Sequence, residues 1–385
     1  MRSKFLPFAQ PVIGEEEIAA VVDTLRSDWI TTGPKTQEFG RRFAEFVGRK
    51  NALPLNSCTA GLHTALVALG VGLGDEIITT PMTFAASVNV IEHVGARPVL
   101  VDVEPDTLNI DPAKIKAAVS SRTKAIIPVH YSGHPVELDS ILDIAGQHGL
   151  HVIEDAAHAL AAKYKGRMIG SGDNPAAFSF YATKNLTTAE GGALTGDDAF
   201  LAKAGVISLH GMTRDAWKRY GSGGSWFYEI ALPGFKYNMT DIQAAIGLCQ
   251  LGKLAAFQKR RREIVQHYNL AFADLGMFDV PVERKHIEHA WHLYVLRLKL
   301  VAFKIDRARF IEEMAAHNIG CSVHFIPIHI HPYYRDKYHL KPDDFPVAYT
   351  EYQRLVSLPL HPRLTDADVQ DVIEAVFDVV KKFRR

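Results

Sequence analysis

The chain has 385 residues, 47% hydrophobic and 22% charged, a composition typical of a globular protein long enough for two domains. Its 43 basic and 43 acidic residues cancel, so no net charge favours binding to nucleic acid or to an acidic membrane. We find no signal-peptide pattern, no apolar run near the ~20 residues of a membrane helix, and no disulfide or metal-ribbon spacing among the cysteines. We therefore expect a reduced, cytoplasmic protein that binds neither nucleic acid nor membrane.

The first half of the chain alternates short apolar runs with amphipathic stretches. Strands are predicted at 76–80, 98–102, 125–129, 151–155 and 178–181, where β-branched or aromatic residues cluster. Helices are predicted between them at 59–69, 85–93 and 138–148. This alternation predicts an α/β fold with a mostly parallel sheet that is flanked by helices on both faces.

The second half begins with long helices over residues 238–277. They include a basic run at 259–262, for which the amphipathic pattern favours a solvated helix face over a binding patch. A smaller α/β unit follows, with a strand at 293–300, a helix at 306–317, a strand at 321–325 and a last helix at 366–383. We expect a large domain over residues 1–250 and a smaller C-terminal domain over 251–385.

Three segments carry polar side chains where α/β proteins bind ligands. Residues 56–62 lead directly into a helix, so they suit either a phosphate at the helix N-terminus or ordinary capping. Asp155 ends an apolar strand, where a carboxylate can hold a protonated ring nitrogen or cap a following helix. Lys184 follows an aromatic strand, where desolvation favours Schiff-base chemistry, although most lysines are only surface charges.

Taken together, the three segments match the needs of pyridoxal phosphate. The lysine would hold the aldehyde, the acid would keep the pyridine nitrogen protonated, and the helix N-terminus would hold the phosphate. Residues 56–62, Asp155 and Lys184 follow one another along the chain. Together they predict a pyridoxal-phosphate site at the carboxyl ends of the strands.

Five motifs give the chain a family resemblance. They are the turn at 57–60, the stretch 126–130, Glu154 to His158, the segment around Lys184, and Gly234 to Asp241. With these motifs the chain resembles the DegT-type nucleotide-sugar aminotransferases, a branch of the fold-type I pyridoxal-phosphate enzymes, from about Phe8 to its C-terminus. The resemblance implies a homodimer whose active sites are shared between subunits.

The resemblance also implies a role for individual residues. Lys184 would bind the cofactor and move the proton, Asp155 would pair with the pyridine nitrogen, and His158 would approach the ring. Phe84 would stack on the ring, although read alone it could be a core residue. The residues implied to hold the phosphate are Thr59, Ala60, Ser179 and, across the dimer, Asn238. Read alone, Asn238 could equally be a helix cap.

A histidine-rich segment contains His324, His329 and His331. We do not predict a metal site there, because no cysteine or glutamate lies at ligand spacing. In the resembled family this segment faces the sugar nucleotide, so His329 is a candidate substrate contact and Arg335 a candidate for the diphosphate.

The implied reaction moves the amino group of L-glutamate to a keto sugar. The likeness is strongest to enzymes that aminate UDP-linked 4-keto sugars for bacterial surface polysaccharides such as lipopolysaccharide. Some relatives carry histidine in place of the lysine and dehydrate the sugar, so Lys184 favours amination. Two alternatives stay open at this point, a pyridoxal-phosphate-dependent dehydratase or lyase and a non-catalytic regulator that binds the cofactor.

Overall fold

The computed structural model describes residues 2–213 and 227–385. In this part of the chain the α-helices are α1 Glu15–Arg26, α2 Pro34–Val47, α3 Cys58–Ala68, α4 Ala86–His93, α5 Pro112–Ala118, α6 Leu138–His148, α7 Asp198–Ser208, α8 Asp241–Phe272, α9 Arg307–Ala316, α10 Pro332–Tyr338, α11 Pro346–Arg354 and α12 Asp366–Phe383. The strands are β1 Leu53–Leu55, β2 Glu76–Thr79, β3 Arg97–Leu100, β4 Thr123–Ile127, β5 His151–Val152, β6 Glu154–Asp155, β7 Lys163–Tyr164, β8 Arg167–Met168, β9 Ala176–Ser179, β10 Gly192–Thr195, β11 Phe278–Asp279, β12 Ile287–Glu288, β13 Tyr294–Leu298 and β14 Leu355–Leu358. None of these helices is both long enough and apolar enough to span a bilayer.

The large domain is built on one twisted sheet. Strands pair in the orders β3-β2-β4-β5 and β6-β9-β10-β1. The two sets are continuous, because β5 and β6 are successive pieces of one strand and Asp155 also pairs with Val129 beside it. Only β10 runs against the others, between β9 and β1. The predicted α/β fold with a mostly parallel sheet is confirmed.

Alternate strand residues feed two separate cores. Ile77 packs with Leu62 and Leu66 of α3 on one face of the sheet. Its neighbour Ile78 packs with Ile141 of α6 on the other face. Because successive side chains of a strand point to opposite faces, apolar residues at every position require helices on both sides. The sequence shows this requirement as near-continuous apolar runs.

The C-terminal part has its own hydrophobic core, which packs on the antiparallel sheet β11-β13-β14. The helices predicted at 306–317 and 366–383 and the strand predicted at 293–300 are confirmed, within a residue or two at their ends. The strand predicted at 321–325 is wrong, since only Ser322 pairs, with Ser357. Phe325 turns instead toward the large domain, where its ring stacks on His158.

Helix α8 belongs to both parts. It packs against α1 and α2 near its start, and its later residues Ile264, Tyr268 and Phe272 lie in the C-terminal core. The domain boundary expected at residue 250 therefore falls inside one continuous helix. Leu6, at the other end of the chain, also packs in the C-terminal core and pairs with Ile319.

The basic run on α8 is not a uniformly solvated face, so that prediction is wrong for Arg261. The Arg261 guanidinium is buried and donates hydrogen bonds from Nη1 to the carbonyl oxygens of Trp291, His292 and Leu360, at 3.1, 3.3 and 2.9 Å. The helix passes under the junction of the two domains at this point, and three carbonyls there need a donor. The neighbouring Arg260 reaches the surface and pairs with Asp366.

Candidate active site

The predicted site lies where the central strands of the large sheet end. Asp155 is the last residue of β6 and Ser179 the last of its parallel neighbour β9, so both stand at one edge of the sheet. Helix α3 begins at Cys58 beside them, and the Cys58 thiol lies 3.4 Å from the Ala177 carbonyl oxygen. Open parallel sheets bind their ligands at this edge.

Asp155 is 5% exposed and is held on both carboxylate oxygens. Its Oδ2 accepts a 2.7 Å hydrogen bond from the Ser87 hydroxyl, and its Oδ1 accepts one of 3.1 Å from the backbone N–H of Ala157. The capping role considered for Asp155 is wrong, because the next α-helix begins only at Asp198. The carboxylate is thus fixed at the mouth of a buried strand, ready to hold a cation.

Lys184 lies in the turn that follows β9. Its backbone N–H donates to the Tyr181 carbonyl at 2.9 Å, which closes the turn. Burial lowers the pKa of the Lys184 amine to about 8, against the opposing effect of the Cys58 and Asp155 side chains. A pKa this low leaves part of the lysine unprotonated near neutral pH, as a nucleophilic or proton-accepting amine requires.

The start of α3 forms a cradle for an anion. The Ser57 hydroxyl caps the helix by accepting from Ala60 N at 3.0 Å, while the amides of the first turn at Cys58 and Thr59 have no acceptor within the helix. Gly192 packs directly under this turn, where a Cβ would meet the Ser57 carbonyl carbon at 2.4 Å. The capping alternative is confirmed for Ser57, and the amides of Cys58 and Thr59 are the ones left for an anion.

Aromatic rings form one wall of the site. Phe84 is 65% exposed, so the alternative that it is a core residue is wrong. Its ring centroid lies 6.2 Å from that of Phe325, which in turn stacks on His158 at 5.7 Å. His292 packs on His158 from another side, at 4.4 Å between ring centroids.

The histidines of this wall are neutral. Burial, and then the charge of Lys184, hold the pKa of His158 well below its usual value. Burial lowers the pKa of His324 to about 4. The buried Nδ1 of His158 has no hydrogen-bond partner among the described residues. A buried nitrogen without a partner and an exposed phenyl ring are what a bound aromatic ligand would satisfy.

These residues together fit pyridoxal phosphate. The amine, the fixed carboxylate, the free helix N-terminus and the exposed aromatic face provide one partner for each part of that cofactor: the aldehyde, the ring nitrogen, the phosphate and the ring face. Ser179 stands at the same edge, and its hydroxyl accepts from Tyr181 N at 3.4 Å.

Asn238 pairs with Leu55, two residues before the Ser57 cap, and it lines a cavity of about 940 Å³ that is also lined by residues 28–32. Lys236 Nζ donates to its Oδ1 at 2.6 Å, and its own Nδ2 donates to Thr32. The helix-cap alternative is wrong, because Thr240 caps α8. The cavity contains neither Asp155 nor Lys184 in its lining.

The two candidate substrate residues differ in accessibility. His329 is 0% exposed and packs on Phe345 at 4.9 Å between ring centroids, which leaves its ring no surface for a substrate to touch. Arg335 is exposed and pairs with Asp336 at 2.7 Å. Nearby, Ile328 N donates to the Pro81 carbonyl at 2.9 Å, so this segment lies against the loop that carries Phe84.

Sequence reasoning missed Ser87, Asn185 and His292. Asn185 directly follows Lys184; its Nδ2 donates to the Ala290 carbonyl at 2.8 Å, and its Oδ1 meets His292 Nδ1 at 3.1 Å. A neutral His292 therefore carries its proton on Nδ1. The only signal in the sequence was a run of histidines at 286, 289 and 292, which did not stand out from the core pattern.

Comparison with known proteins gives concordant matches over almost the whole chain. Residues 11–377 match the family described as the DegT/DnrJ/EryC1/StrS aminotransferase family. An uncharacterised protein of Methanocaldococcus jannaschii, MJ1066, is 55% identical over 385 residues and all of both chains. The spore coat polysaccharide biosynthesis protein SpsC of Bacillus subtilis is 53% identical over 99% of this chain and 98% of its own.

Solved structures agree with these relatives. The putative sugar aminotransferase Spr1654 of Streptococcus pneumoniae superposes with a TM-score of 0.91 in its pyridoxamine-phosphate form, at 37% identity over 98% of this chain and 99% of its own. Its pyridoxal-phosphate form superposes with the same TM-score of 0.91.

Proposed function

Because the chain belongs to the DegT/DnrJ/EryC1/StrS aminotransferase family, as a pyridoxal-phosphate-dependent sugar aminotransferase of fold-type I, we propose that its substrate is a nucleotide-linked keto sugar. The amino donor is L-glutamate, the nucleotide is UDP, and the amine enters at C4. The observation that carries the proposal is that two groups occur together at one edge of the sheet. They are Lys184, an amine with a lowered pKa, and the fixed carboxylate of Asp155.

Asp155 and the start of α3 hold the two ends of the cofactor. Pyridoxal phosphate supplies an aldehyde that takes the amino group and a protonated ring that withdraws electrons from the substrate carbon. The Asp155 carboxylate would stabilise the proton on the ring nitrogen through a charge-assisted hydrogen bond. The free amides at Cys58 and Thr59 would hold the phosphate together with Ser179, whereas the Ala60 amide, also expected there, donates to the Ser57 hydroxyl.

Lys184 would be the residue that moves the proton. Its Nζ, with a pKa lowered to about 8, is suited to hold a proton taken from the substrate and to give it back. The neutral His158 would offer the cofactor ring a contact without adding a charge, and Phe84 would offer an exposed aromatic face. Because these residues are uncharged, the positive charge of the cofactor would be balanced by Asp155 alone among them.

The relatives support a product for polysaccharide synthesis. SpsC is named for spore coat polysaccharide biosynthesis, and we extend that to an amino sugar for a surface polysaccharide, lipopolysaccharide included. Arg335, an exposed cation in α10, is our candidate for binding the diphosphate of the substrate. The buried position of His329 gives no support to a direct substrate contact.

We also propose a homodimer with shared sites. Asn238 and Lys236 line a cavity that excludes Asp155 and Lys184 of their own chain. An amide and an ammonium group presented there suit a phosphate bound by the other subunit. A sedimentation measurement of the protein, beside Asn238→Ala with its affinity for pyridoxal phosphate, tests this arrangement. A monomer with full cofactor affinity would contradict it.

The substrate is tested by following the nitrogen. The holoenzyme is incubated with L-glutamate that is isotopically labelled at its amino nitrogen and with a panel of UDP- and dTDP-linked keto sugars. The masses of the products are measured by mass spectrometry. We expect the label in a UDP-linked 4-amino sugar. Transfer to simple keto acids alone would contradict the sugar substrate, and Lys184→Ala provides the inactive control.

The second candidate is a dehydratase or lyase acting on the same sugars. Lys184 opposes it, because the resemblance implies that family members which dehydrate carry histidine at this position. The same mass measurement separates the two reactions, because dehydration removes water and leaves no label in the product.

A further inference from the structure

Behind the Asp155 carboxylate stand two hydroxyl groups that the proposed mechanism does not use. The Ser87 Oγ lies 2.7 Å from Asp155 Oδ2, and the Thr83 Oγ1 lies 2.7 Å from the Ser87 Oγ. Ser87 is 0% exposed and Thr83 is 2% exposed. The three groups therefore form a dry chain that leads away from the site.

The direction of this chain follows from donor counting. An ionised carboxylate can only accept hydrogen bonds, so Ser87 must spend its single hydroxyl proton on Asp155. The Phe84 carbonyl is a weaker competitor for that proton, because it is neutral and lies 3.4 Å away. The Ser87 oxygen is then free to accept, and Thr83 donates to it. Each donated bond polarises the next toward the carboxylate.

The same stretch of chain also carries Phe84. Thr83 precedes the first turn of α4 and Ser87 lies within it, four residues later, so their side chains meet on the buried side. Phe84, between them, points out into the site. One short segment therefore sets both the aromatic face offered to the cofactor ring and the hydrogen bonding of the acid at its nitrogen.

We propose that Ser87, supported by Thr83, is a positioning residue that fixes the orientation of the Asp155 carboxylate. This inference rests on the proposed pairing of Asp155 with the ring nitrogen. Without the relay, Asp155 retains the Ala157 amide on Oδ1 but loses the bond that orients Oδ2. A carboxylate held by one oxygen can rotate, and the protonated ring loses part of its stabilisation.

The test compares Ser87→Ala with Ser87→Thr in the full-length holoenzyme. The two readouts are the dissociation constant of pyridoxal phosphate and the pH dependence of the bound cofactor's absorption. We expect Ser87→Ala to weaken cofactor binding about tenfold and to shift the spectral titration, since a hydrogen bond to a charged group is lost. Ser87→Thr keeps the hydroxyl and should restore both values.

Thr24→Val serves as the matched control, because it removes a buried helical hydroxyl outside the site that donates to the Ala20 carbonyl at 2.7 Å. A Ser87→Ala protein that behaves like Thr24→Val in both readouts would overturn the relay. Thr83→Val should shift both readouts in the same direction by a smaller factor, and a wild-type result there would overturn the outer step.

Asp155→Asn distinguishes failure of the relay from failure of the site. If Asp155→Asn changes both readouts and Ser87→Ala changes neither, the relay is wrong and the pairing of Asp155 with the ring stands. If Asp155→Asn changes neither, the proposed pairing itself is wrong and the relay falls with it.

Discussion

The two sides of the site differ in how their central group is held. On the Asp155 side, the carboxylate and the Ser57 cap are hydrogen-bonded within the protein. On the histidine side, His292 is bonded to Asn185, but Nδ1 of His158 is buried with no partner among the described residues. Burial keeps this side uncharged, as the low pKa values of His158 and His292 indicate.

The Asp155 side, which we call the rigid side, holds its groups fixed. The histidine side, which we call the receptive side, leaves a nitrogen free for a ligand. A carboxylate that holds a charge acts best when its orientation is fixed before the ligand arrives, so that no reorganisation accompanies binding. A wall that covers a ring needs area and neutrality rather than fixed bonds, and an unpartnered nitrogen there can be satisfied by the ligand. The predictions below test each side in turn.

The largest effect is expected for Lys184→Ala. Loss of the amine removes both covalent attachment and proton transfer, so kcat should fall by about 10⁴-fold or more. Stopped assays with labelled L-glutamate measure the rate, and the absorption spectrum shows whether the bound cofactor loses its yellow colour. Lys163→Ala, which removes a surface ion pair with Glu288, is the matched control. Wild-type turnover by Lys184→Ala would refute the assignment.

Asp155→Asn tests the rigid side. The amide keeps the size of the carboxylate but removes its charge, so the ring nitrogen loses its counter-ion. We expect kcat to fall on the order of 100-fold, the equivalent of about 3 kcal/mol, from the loss of one charge-assisted bond in a buried setting. The matching measurement on the receptive side is His158→Asn, for which we expect a smaller loss. An equal loss in both variants would remove the distinction between the sides.

Arg261→Met tests what supports the receptive side. The guanidinium donates to three carbonyls, two of them in the turn that carries His292. Methionine leaves those oxygens buried without donors, so the free energy of unfolding should fall by about 3 kcal/mol. Thermal unfolding measures it, with Lys259→Met as the control, an exposed neighbour in the same helix that should change the free energy of unfolding by about 0.5 kcal/mol or less. Similar melting temperatures for the two variants would contradict the argument.

The smallest effect concerns the cofactor-free protein and pH. The pKa of Lys184 is lowered from 10.5 to about 8 on folding, so between these values the unfolded chain binds more protons and stability rises with pH. Lys184→Met should therefore stabilise the cofactor-free protein below pH 8, by about 1–2 kcal/mol, and the gain should shrink toward pH 10.5. Urea unfolding at several pH values measures this, and a gain that is independent of pH would contradict it.

Sequence patterns predicted the helices and strands whose signals lie within the segment itself. Helices α6 and α12 were predicted with their observed bounds because their apolar periodicity and flanking residues lie within the segment. The places of Asp155 at the end of β6 and of Lys184 after β9 were predicted because the ends of apolar strands are visible in the sequence. Strands β1 and β10 were missed, since three or four residues carry too little periodicity, and β10 opens with a glycine.

Contacts between distant segments could not be predicted from the same patterns. Arg261 is buried because carbonyls near residues 291 and 360 converge on it. Ser87 reaches a carboxylate 68 positions away. His329 sits in a histidine-rich run that gives no sign of which ring is interior. In each case the partner is supplied by the tertiary fold, and the residue type alone is compatible with several environments.

Helix α8 has a mechanical consequence. At its start, the Asp241 carboxylate accepts hydrogen bonds from the amides of Gly33, Lys35 and Thr36. Farther along the helix, Arg261 donates to the carbonyl of His292. Its 32 residues make a rod about 48 Å long, at about 1.5 Å per residue. A continuous helix of this kind moves as one unit. The C-terminal core can therefore approach the site only if the whole of α8 tilts about its first turn, which is bonded to residues 33–36.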